Sequence, residues 1–133
     1  MSDANISLVQ DLYAAFARGD VSTILSACAP DVDWRLVGRK DDYPTFGAWQ
    51  GPGEVEKFFQ LVSDLEDFQD FSPREFHGSG DKVFVLGFYS LTIKKTGRSI
   101  ASEWCHVFTI RAGKVAAFRE FTDTAQAAAA YRG

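Results

Sequence analysis

Two kinds of hydrophobic spacing divide the chain. In the N-terminal half, apolar side chains recur every three or four residues, whereas from residue 68 onward they alternate with polar ones. The first spacing is typical of amphipathic helices, and the second is typical of half-buried strands. The pattern therefore predicts helices first and then a meander of long strands, which is an order typical of α+β proteins.

Two helices are predicted in the first part of the chain. The first begins at a cap formed by Asp3 or Asn5 and ends at Gly19, since glycine readily adopts the left-handed conformation found after helices. The second covers residues 21–28, and Pro30, which has no backbone N–H, is expected to stop it. The chain therefore opens with a helical pair.

The next segment holds a strand, a loop and a third helix. Residues 32–37 alternate as a strand, and the third helix begins at Pro52 and continues to Leu65. The stretch 38–51 is predicted to be a loop long enough to act as a lid. Trp49 lies in this loop and is the side chain expected to contact a ligand when the lid closes.

Long strands separated by glycine-containing turns follow. They are predicted at residues 68–76, 82–95, 98–111 and 114–122. Gly87 interrupts the second of them and favours curvature, and a short helix is expected after Asp123. We therefore expect residues 1–133 to form a single α+β domain, in which a strongly curved sheet carries about three helices on its concave side.

The tight turn between the last two strands decides which of their side chains meet. A two-residue turn needs positive φ at both positions, which costs roughly 1–2 kcal/mol at Ala112 but little at Gly113. The sequence therefore favours a three-residue loop that ends in a bulge at Gly113. In that register His106 lies diagonal to Glu120, whereas a two-residue turn would place His106 opposite Arg119.

In the favoured register a histidine and a carboxylate share one face of the hairpin with two large aromatic side chains. His106 and Glu120 lie with Trp104 and Phe118 on this face, and Arg119 lies on the other. A carboxylate on an otherwise apolar face is costly unless it has a partner or a role. The pair is therefore a candidate for acid/base chemistry, and the alternative is a structural His–Glu bridge.

The amino-acid composition favours an internal pocket and argues against a nucleic-acid partner. Hydrophobic residues make up 46% of the chain and aromatic residues 14%, including twelve Phe and three Trp. This aromatic content exceeds the needs of packing. It favours an aromatic-lined cavity for a hydrophobic small molecule. The net charge is −4, and the lysines and arginines are dispersed along the sequence. A nucleic-acid surface is therefore not expected.

The number and spacing of cysteines and histidines indicate the cellular location of the protein and its capacity to bind a metal ion. Cys28 and Cys105 are too few and too far apart for a disulfide framework or a zinc site, so reduced thiols in a cytoplasmic protein are expected. His77 and His106 offer no metal triad. The N-terminal residues do not resemble a secretory leader, and no stretch reaches the roughly 18 apolar residues of a membrane span, so no membrane association is expected.

Three segments together resemble a known family. They are the helical pair at residues 12–20, the Ala-Pro-Asp-Val-Asp-Trp segment at 29–34, and the Gly-Lys-Val-Ala-Ala-Phe-Arg-Glu-Phe-Thr-Asp segment at 113–123. In order and kind they resemble the SnoaL-like branch of the NTF2-like superfamily, which contains polyketide cyclases, ketosteroid isomerases and limonene-type epoxide hydrolases. The resemblance implies a cone with a mixed or antiparallel sheet, a hydrophobic pocket in its mouth, and a homodimer formed through the outer sheet face.

The resemblance also implies roles for three residues. Glu120 matches the catalytic acidic residue of the polyketide cyclases and epoxide hydrolases, and His106 matches the histidine that works with it in the cyclases. Tyr13, on the first helix, resembles the phenolic donor of the ketosteroid isomerases.

Other family positions depart from the known patterns. Gly87 and Tyr89 stand where the epoxide hydrolases carry an arginine and a second aspartate, and Trp34 and Leu36 stand where they carry a tyrosine and an asparagine. The isomerase base would fall near Leu36, and its oxyanion carboxylic acid would fall near Cys105. Neither chemistry is expected in its known form.

Three functions stay open on this basis. The first is a cofactor-independent isomerase, cyclase or dehydratase that acts on a hydrophobic carbonyl compound, with Glu120 as proton acceptor, His106 as its partner or as proton donor, and Tyr13 or Tyr89 polarising an oxygen. The residues expected to contact substrate are aromatic: Trp34, Trp49, Phe58, Tyr89, Trp104 and Phe118. The alternatives are a non-catalytic binding module for an aromatic or lipid-like ligand, and an interaction domain that uses the outer sheet face.

Overall fold

The computed structural model describes residues 2–133, which form four helices and six strands. The helices are α1 (Ser2–Ala17), α2 (Val21–Ser26), α3 (Gly51–Leu65) and α4 (Thr124–Arg132). The strands are β1 (Cys28–Leu36), β2 (Gly47–Gln50), β3 (Glu66–Ser79), β4 (Lys82–Ile93), β5 (Ser99–Arg111) and β6 (Lys114–Phe121).

The six strands form one mixed sheet in the order β2-β1-β6-β5-β4-β3. Neighbouring strands are antiparallel except β1 and β6, which are parallel because α3 and the long strands intervene between them in the chain. Helix α1 packs against β3 and β4, and α3 packs against β1 and β2, so both cover the same inner face. The α+β fold class with helices over a curved mixed sheet is confirmed, with four helices where about three were expected.

The second helix is shorter than predicted, and the first strand is longer. Helix α2 begins after Asp20, whose carboxylate accepts a hydrogen bond from the Thr23 backbone N–H at 3.2 Å, and it ends at Ser26 rather than at residue 28. Pro30 lies inside β1 and does not stop the helix. The pairing of β1 with β6 is irregular between Cys28 and Asp33, so the N–H that proline lacks is not needed there.

The predicted three-residue loop between β5 and β6 is wrong. Ala112 and Gly113 form a two-residue turn with φ of 53° and 74°, because a turn of this hand matches the twist of the strands that it joins. Pairing then skips Ala116, since Ile110 lies opposite Val115 and Thr109 lies opposite Ala117. This bulge restores the parity that a two-residue turn alone would reverse.

The bulge also corrects the position of the histidine. His106 lies directly opposite Glu120, neither diagonal to it nor opposite Arg119. Trp104, His106 and Phe118 are buried on the inner face. Arg119 bonds to Asp33 at 2.7 Å, away from the cavity lining. The predicted division of faces therefore holds although the predicted register does not.

The segment predicted to be a free lid is packed into the protein. Tyr43, Thr45 and Phe46 are buried, and residues 47–50 form β2, which pairs with β1. The large aromatic side chains bury too much apolar surface for the segment to stay open in water. The segment is therefore a fixed wall of the inner cavity.

Candidate functional site

A cavity lies between the inner sheet face and the helices. The centre of a water-sized molecule can move through about 90 Å³ of it. One water needs at least roughly 10–15 Å³, so the space has room for several waters as it stands. The residues named from the sequence that line it are Tyr13, Trp34, Phe58, Tyr89, His106, Phe118 and Glu120.

Two of the aromatic residues expected to contact substrate lie outside this lining. The indole of Trp49 donates a hydrogen bond to the Thr45 carbonyl at 3.1 Å, and the Lys40 ammonium lies 4.6 Å from the centre of its ring. Trp104 is buried and stacks on His106, with 3.9 Å between ring centroids. Trp49 therefore holds the wall, and Trp104 supports the histidine.

Tyr13, His106 and Glu120 form a continuous hydrogen-bonded chain. The Glu120 Oε2 atom lies 2.8 Å from His106 Nε2, and the Tyr13 hydroxyl lies 2.7 Å from His106 Nδ1. An ionised carboxylate only accepts, so in a neutral ring Nε2–H donates to Glu120 and Nδ1 accepts from the tyrosine hydroxyl. The three residues named as catalytic candidates are thus joined through His106.

This chain of groups is held in an apolar environment. The His106 and Glu120 side chains are 5% and 12% exposed, and the Phe118 ring meets the imidazole edge-on at 4.8 Å. Burial raises the pKa of Tyr13 well above its usual value, and the charge of Glu120 raises it further. Tyr13 therefore keeps its proton at neutral pH and acts as a hydrogen-bond donor.

Gly87 makes the support behind the histidine possible. A side chain at this position would place Cβ 2.3 Å from the Trp104 ring and 2.6 Å from the Ser72 carbonyl oxygen. Only a glycine leaves room for the indole to lie over β4. From the sequence, Gly87 was expected to favour curvature. In the structure it also leaves the space that the Trp104 indole occupies, and His106 stacks on this indole.

A second polar pair, Tyr43 and Glu66, lies in the cavity and was not expected from the sequence. The Tyr43 hydroxyl donates a hydrogen bond to Glu66 Oε2 at 2.5 Å, and both residues line the cavity. Burial raises the pKa of Glu66 to about 7, with a further increase from the charge of Glu120, while the Tyr43 hydrogen bond lowers it.

The position of Glu66 follows from the alternation of side chains along β3. Its strand begins two residues before the predicted start at Phe68, and alternation places both side chains on the inner face. Tyr43 carries no such signal, because it lies in a segment without a regular period.

Two further polar groups face this region. The Tyr89 hydroxyl is 2.8 Å from Thr122 Oγ1, so it already has a protein partner. Trp34 lines the cavity, and its indole N–H is buried without a hydrogen-bond partner among residues 2–133. A buried N–H without a partner is costly, so Trp34 is suited to donate to an oxygen of a ligand.

Comparison with known sequences decides the family. Residues 9–118 match the SnoaL-like domain. The chain belongs to the SnoaL-like family. This SnoaL-like domain is 25% identical over 119 residues to the uncharacterized protein Rv0034 of Mycobacterium tuberculosis, a match that covers 90% of this chain and 88% of that protein.

Solved structures agree with the family assignment. An NTF2-like protein from Burkholderia xenovorans LB400 is 31% identical to the SnoaL-like domain, with a TM-score of 0.89 and coverage of 98% of this chain and 97% of that one. TerC, co-crystallised with polyporic acid, is 27% identical, with a TM-score of 0.86 and coverage of 98% and 99%. The predicted resemblance to the NTF2-like superfamily is therefore confirmed.

The described residues contain neither a membrane-crossing helix nor a cluster of metal-binding side chains. Within residues 2–133, no helix is both long and apolar enough to cross a membrane. In the same part of the chain, no three His, Cys, Asp or Glu side chains come together as metal ligands would.

Proposed function

We propose that this protein is a cofactor-independent enzyme that moves a proton on a small, hydrophobic carbonyl compound, as an isomerase, cyclase or dehydratase does. The observation that supports it best is the chain of hydrogen bonds from Tyr13 through His106 to Glu120 at the wall of an aromatic cavity. A positioned carboxylate, a histidine that orients it and a phenolic donor are the parts of a general acid/base site.

In the proposed reaction Glu120 accepts a proton from a carbon next to the carbonyl group. The electron pair of the broken C–H bond forms a carbon–carbon double bond, and the carbonyl π electrons move to the oxygen. His106 holds the carboxylate through Nε2, and Tyr13 fixes the ring through Nδ1. The stacked Trp104 ring limits rotation of the imidazole, so the base is oriented before a substrate enters.

Cavity size restricts the substrate to small molecules. An engineered apolar cavity of about 150 Å³ holds benzene, which is more than the space of about 90 Å³ found here. A single ring therefore enters only if the lining side chains move slightly, and a fused ring system needs a larger opening. That TerC was co-crystallised with polyporic acid supports a small-molecule ligand for this fold.

Exchange of α-protons tests this proposal without knowledge of the natural substrate. We expect the protein to speed the incorporation of deuterium next to the carbonyl of cyclohexanone in D₂O, measured by proton NMR. The matched control is His77→Ala, which removes the exposed histidine that pairs with Glu75 and should exchange as fast as the wild type. Exchange no faster than in buffer would contradict the proposal.

A binding module without catalysis is the second candidate. The observation that favours it is that His106 already has a partner at each ring nitrogen, as a purely structural bridge would. Saturable binding of cyclohexanone without exchange, in the same samples, would identify this function.

We also propose a homodimer through the outer sheet face. Phe84, Leu86 and Phe121 are 38%, 41% and 47% exposed. Leu86, Cys105 and Phe121 are register neighbours across three strands, so the apolar surface is continuous. Continuous exposed apolar surface on a sheet is typical of protein interfaces.

Sedimentation of the wild type and Leu86→Glu tests the dimer. We expect a dimer for the wild type and a monomer for the variant, because a buried unpaired carboxylate on each copy opposes association. Exposed Lys57→Glu on α3 is the charge-changing control and should stay dimeric. A monomeric wild type would contradict the proposal.

A cytoplasmic location is proposed from the cysteines. Cys28 and Cys105 are both free thiols, and burial raises the pKa of Cys28 to about 11, so it is unreactive. Free thiols are suited to a reducing compartment.

A further inference from the structure

The cavity holds a second carboxyl group that the proposed reaction has not yet used. Glu66 lines the same cavity as Glu120, but it comes from the start of β3 at the end of α3, whereas Glu120 comes from β6. The two carboxyl groups have different partners: Tyr43 for Glu66 and His106 for Glu120. The two carboxyl groups are therefore held by separate hydrogen bonds.

No positive charge balances Glu66. Among residues 2–133, no lysine, arginine or histidine nitrogen lies within ion-pair distance of its carboxylate. Lys94, which follows β4, donates its ammonium protons to the Ser63 carbonyl at 2.9 Å. A half-buried carboxyl group that faces an apolar cavity without a cation is more stable when it carries a proton.

The groups around Glu66 reinforce this preference. Tyr43 faces it from the 37–46 segment, Tyr89 from β4 and Glu120 from β6. Both tyrosine pKa values are raised, so these residues are neutral, and the charge of Glu120 opposes a second negative charge. An acid/base pair needs two groups in different surroundings, so that one carries a proton while the other does not.

We propose that Glu66 is the acid partner of Glu120 and donates the proton that a carbonyl oxygen accepts when Glu120 takes a proton from the adjacent carbon. This inference rests on the proposed function and assigns the substrate class more narrowly, as a single-ring ketone with an α-hydrogen. Tyr43 positions the acid through its hydrogen bond to Oε2.

The step balances without a cofactor. The C–H electron pair becomes the C=C bond, the carbonyl π pair moves to oxygen, and that oxygen takes the proton of Glu66, which leaves an enol and a Glu66 carboxylate. The proton on Glu120 then returns to the same carbon or to one conjugated with it, and Glu66 recovers its proton from the enol oxygen. The net change is proton exchange or a shifted double bond.

The carbonyl stretching band of bound cyclohexanone, labelled with carbon-13 at the carbonyl, tests the assignment independently of turnover. A neutral Glu66 donates to the carbonyl oxygen and lowers the frequency of this band, whereas an ionised Glu66 cannot donate. Because the pKa of Glu66 is raised to about 7, we expect the lowered band below this pH and its loss above it.

Two variants assign the titration to Glu66. Glu66→Gln keeps a donor at every pH, so its lowered band should not change with pH. Tyr43→Phe removes a hydrogen bond that stabilises the carboxylate, so the loss of the band should move to higher pH. The same pH dependence in Glu66→Gln would assign the change to His106 or another group and overturn the proposal. A pH-independent wild-type band, or no band from bound ketone, would overturn it as well.

The outcome separates this proposal from the proposed function. Glu120→Gln should retain the pH-dependent band although it cannot act as the base, and the loss of the band should move to lower pH because the charge of Glu120 no longer raises the pKa of Glu66. If the wild type shows a Glu66-dependent band but no deuterium exchange, the catalytic function fails and Glu66 is a binding donor only. If exchange occurs and the band does not depend on Glu66, catalysis stands without this acid.

Discussion

Glu120→Gln is expected to lower α-proton exchange by about 10²–10⁴-fold, the contribution that a positioned general base typically makes. The amide has nearly the shape of the carboxylate and can accept the hydrogen bond from His106 Nε2–H at the present 2.8 Å. It cannot take up a proton, so the loss should appear in the rate constant and not in the affinity for the ketone. Deuterium incorporation into cyclohexanone measures the rate, and saturation of the rate measures the affinity.

Glu103→Gln is the matched control for this experiment. Glu103 is exposed on β5, one strand away from Glu120, and it does not line the cavity. The same chemical change there should leave the exchange rate unchanged. Equal exchange by Glu120→Gln and the wild type would show that Glu120 is not the base.

Gly87→Ala is expected to destabilise the protein by about 3 kcal/mol, at the upper end of what overpacking typically costs. The added methyl group would lie 2.3 Å from one Trp104 ring atom, 2.5 Å from another and 2.6 Å from the Ser72 carbonyl oxygen. The oxygen belongs to the backbone of β3 and cannot turn away, so either the strands separate or the indole leaves its position. Urea unfolding measures the change in free energy.

The displaced indole has a second consequence in this variant. Trp104 stacks on His106, so its movement removes the support of the imidazole. We expect the surviving folded fraction to exchange cyclohexanone protons more slowly than the wild type at equal folded concentration.

Gly53→Ala separates steric conflict from the general effect of adding a methyl group. Gly53 lies in α3 with nothing within 4 Å of the position that a Cβ would take. Alanine there should stabilise the helix by roughly 0.5–1 kcal/mol, the opposite sign to Gly87→Ala. A change at Gly87 as small as that at Gly53 would show that the indole does not need the glycine.

The sequence was sufficient for the order of the long helices and strands and for seven of the residues that line the cavity. Alternation along β5 and β6 identified the inner face, because a half-buried strand must separate its apolar and polar side chains. Tyr13, His106 and Glu120 were named before their contacts were known, and the structure joins them in one hydrogen-bonded chain. Local spacing is enough for such statements, since it depends on the backbone of one element at a time.

Local spacing could not predict hydrogen-bond partners that come from separate elements. Tyr43 lies in a segment without a regular period, and Glu66 lies where α3 changes into β3, so neither position shows its environment locally. Trp49 and Trp104 were expected to contact substrate, and they do not line the cavity, for a related reason. A large aromatic side chain is apolar whether it lines a cavity or supports its wall.

The hairpin that carries His106 and Glu120 shows which features the sequence determined and which only the tertiary structure decided. The sequence by itself determined that these side chains share a face, since two alternating strands joined by a tight turn allow few arrangements. Only the tertiary structure decided that they stand directly opposite each other, through a strained Ala112 and a bulge at Ala116. The physical reason is that the two-residue turn matches the twist of the long strands that it joins, which offsets a local cost of roughly 1–2 kcal/mol at Ala112, and the bulge then returns the apolar side chains to the inner face.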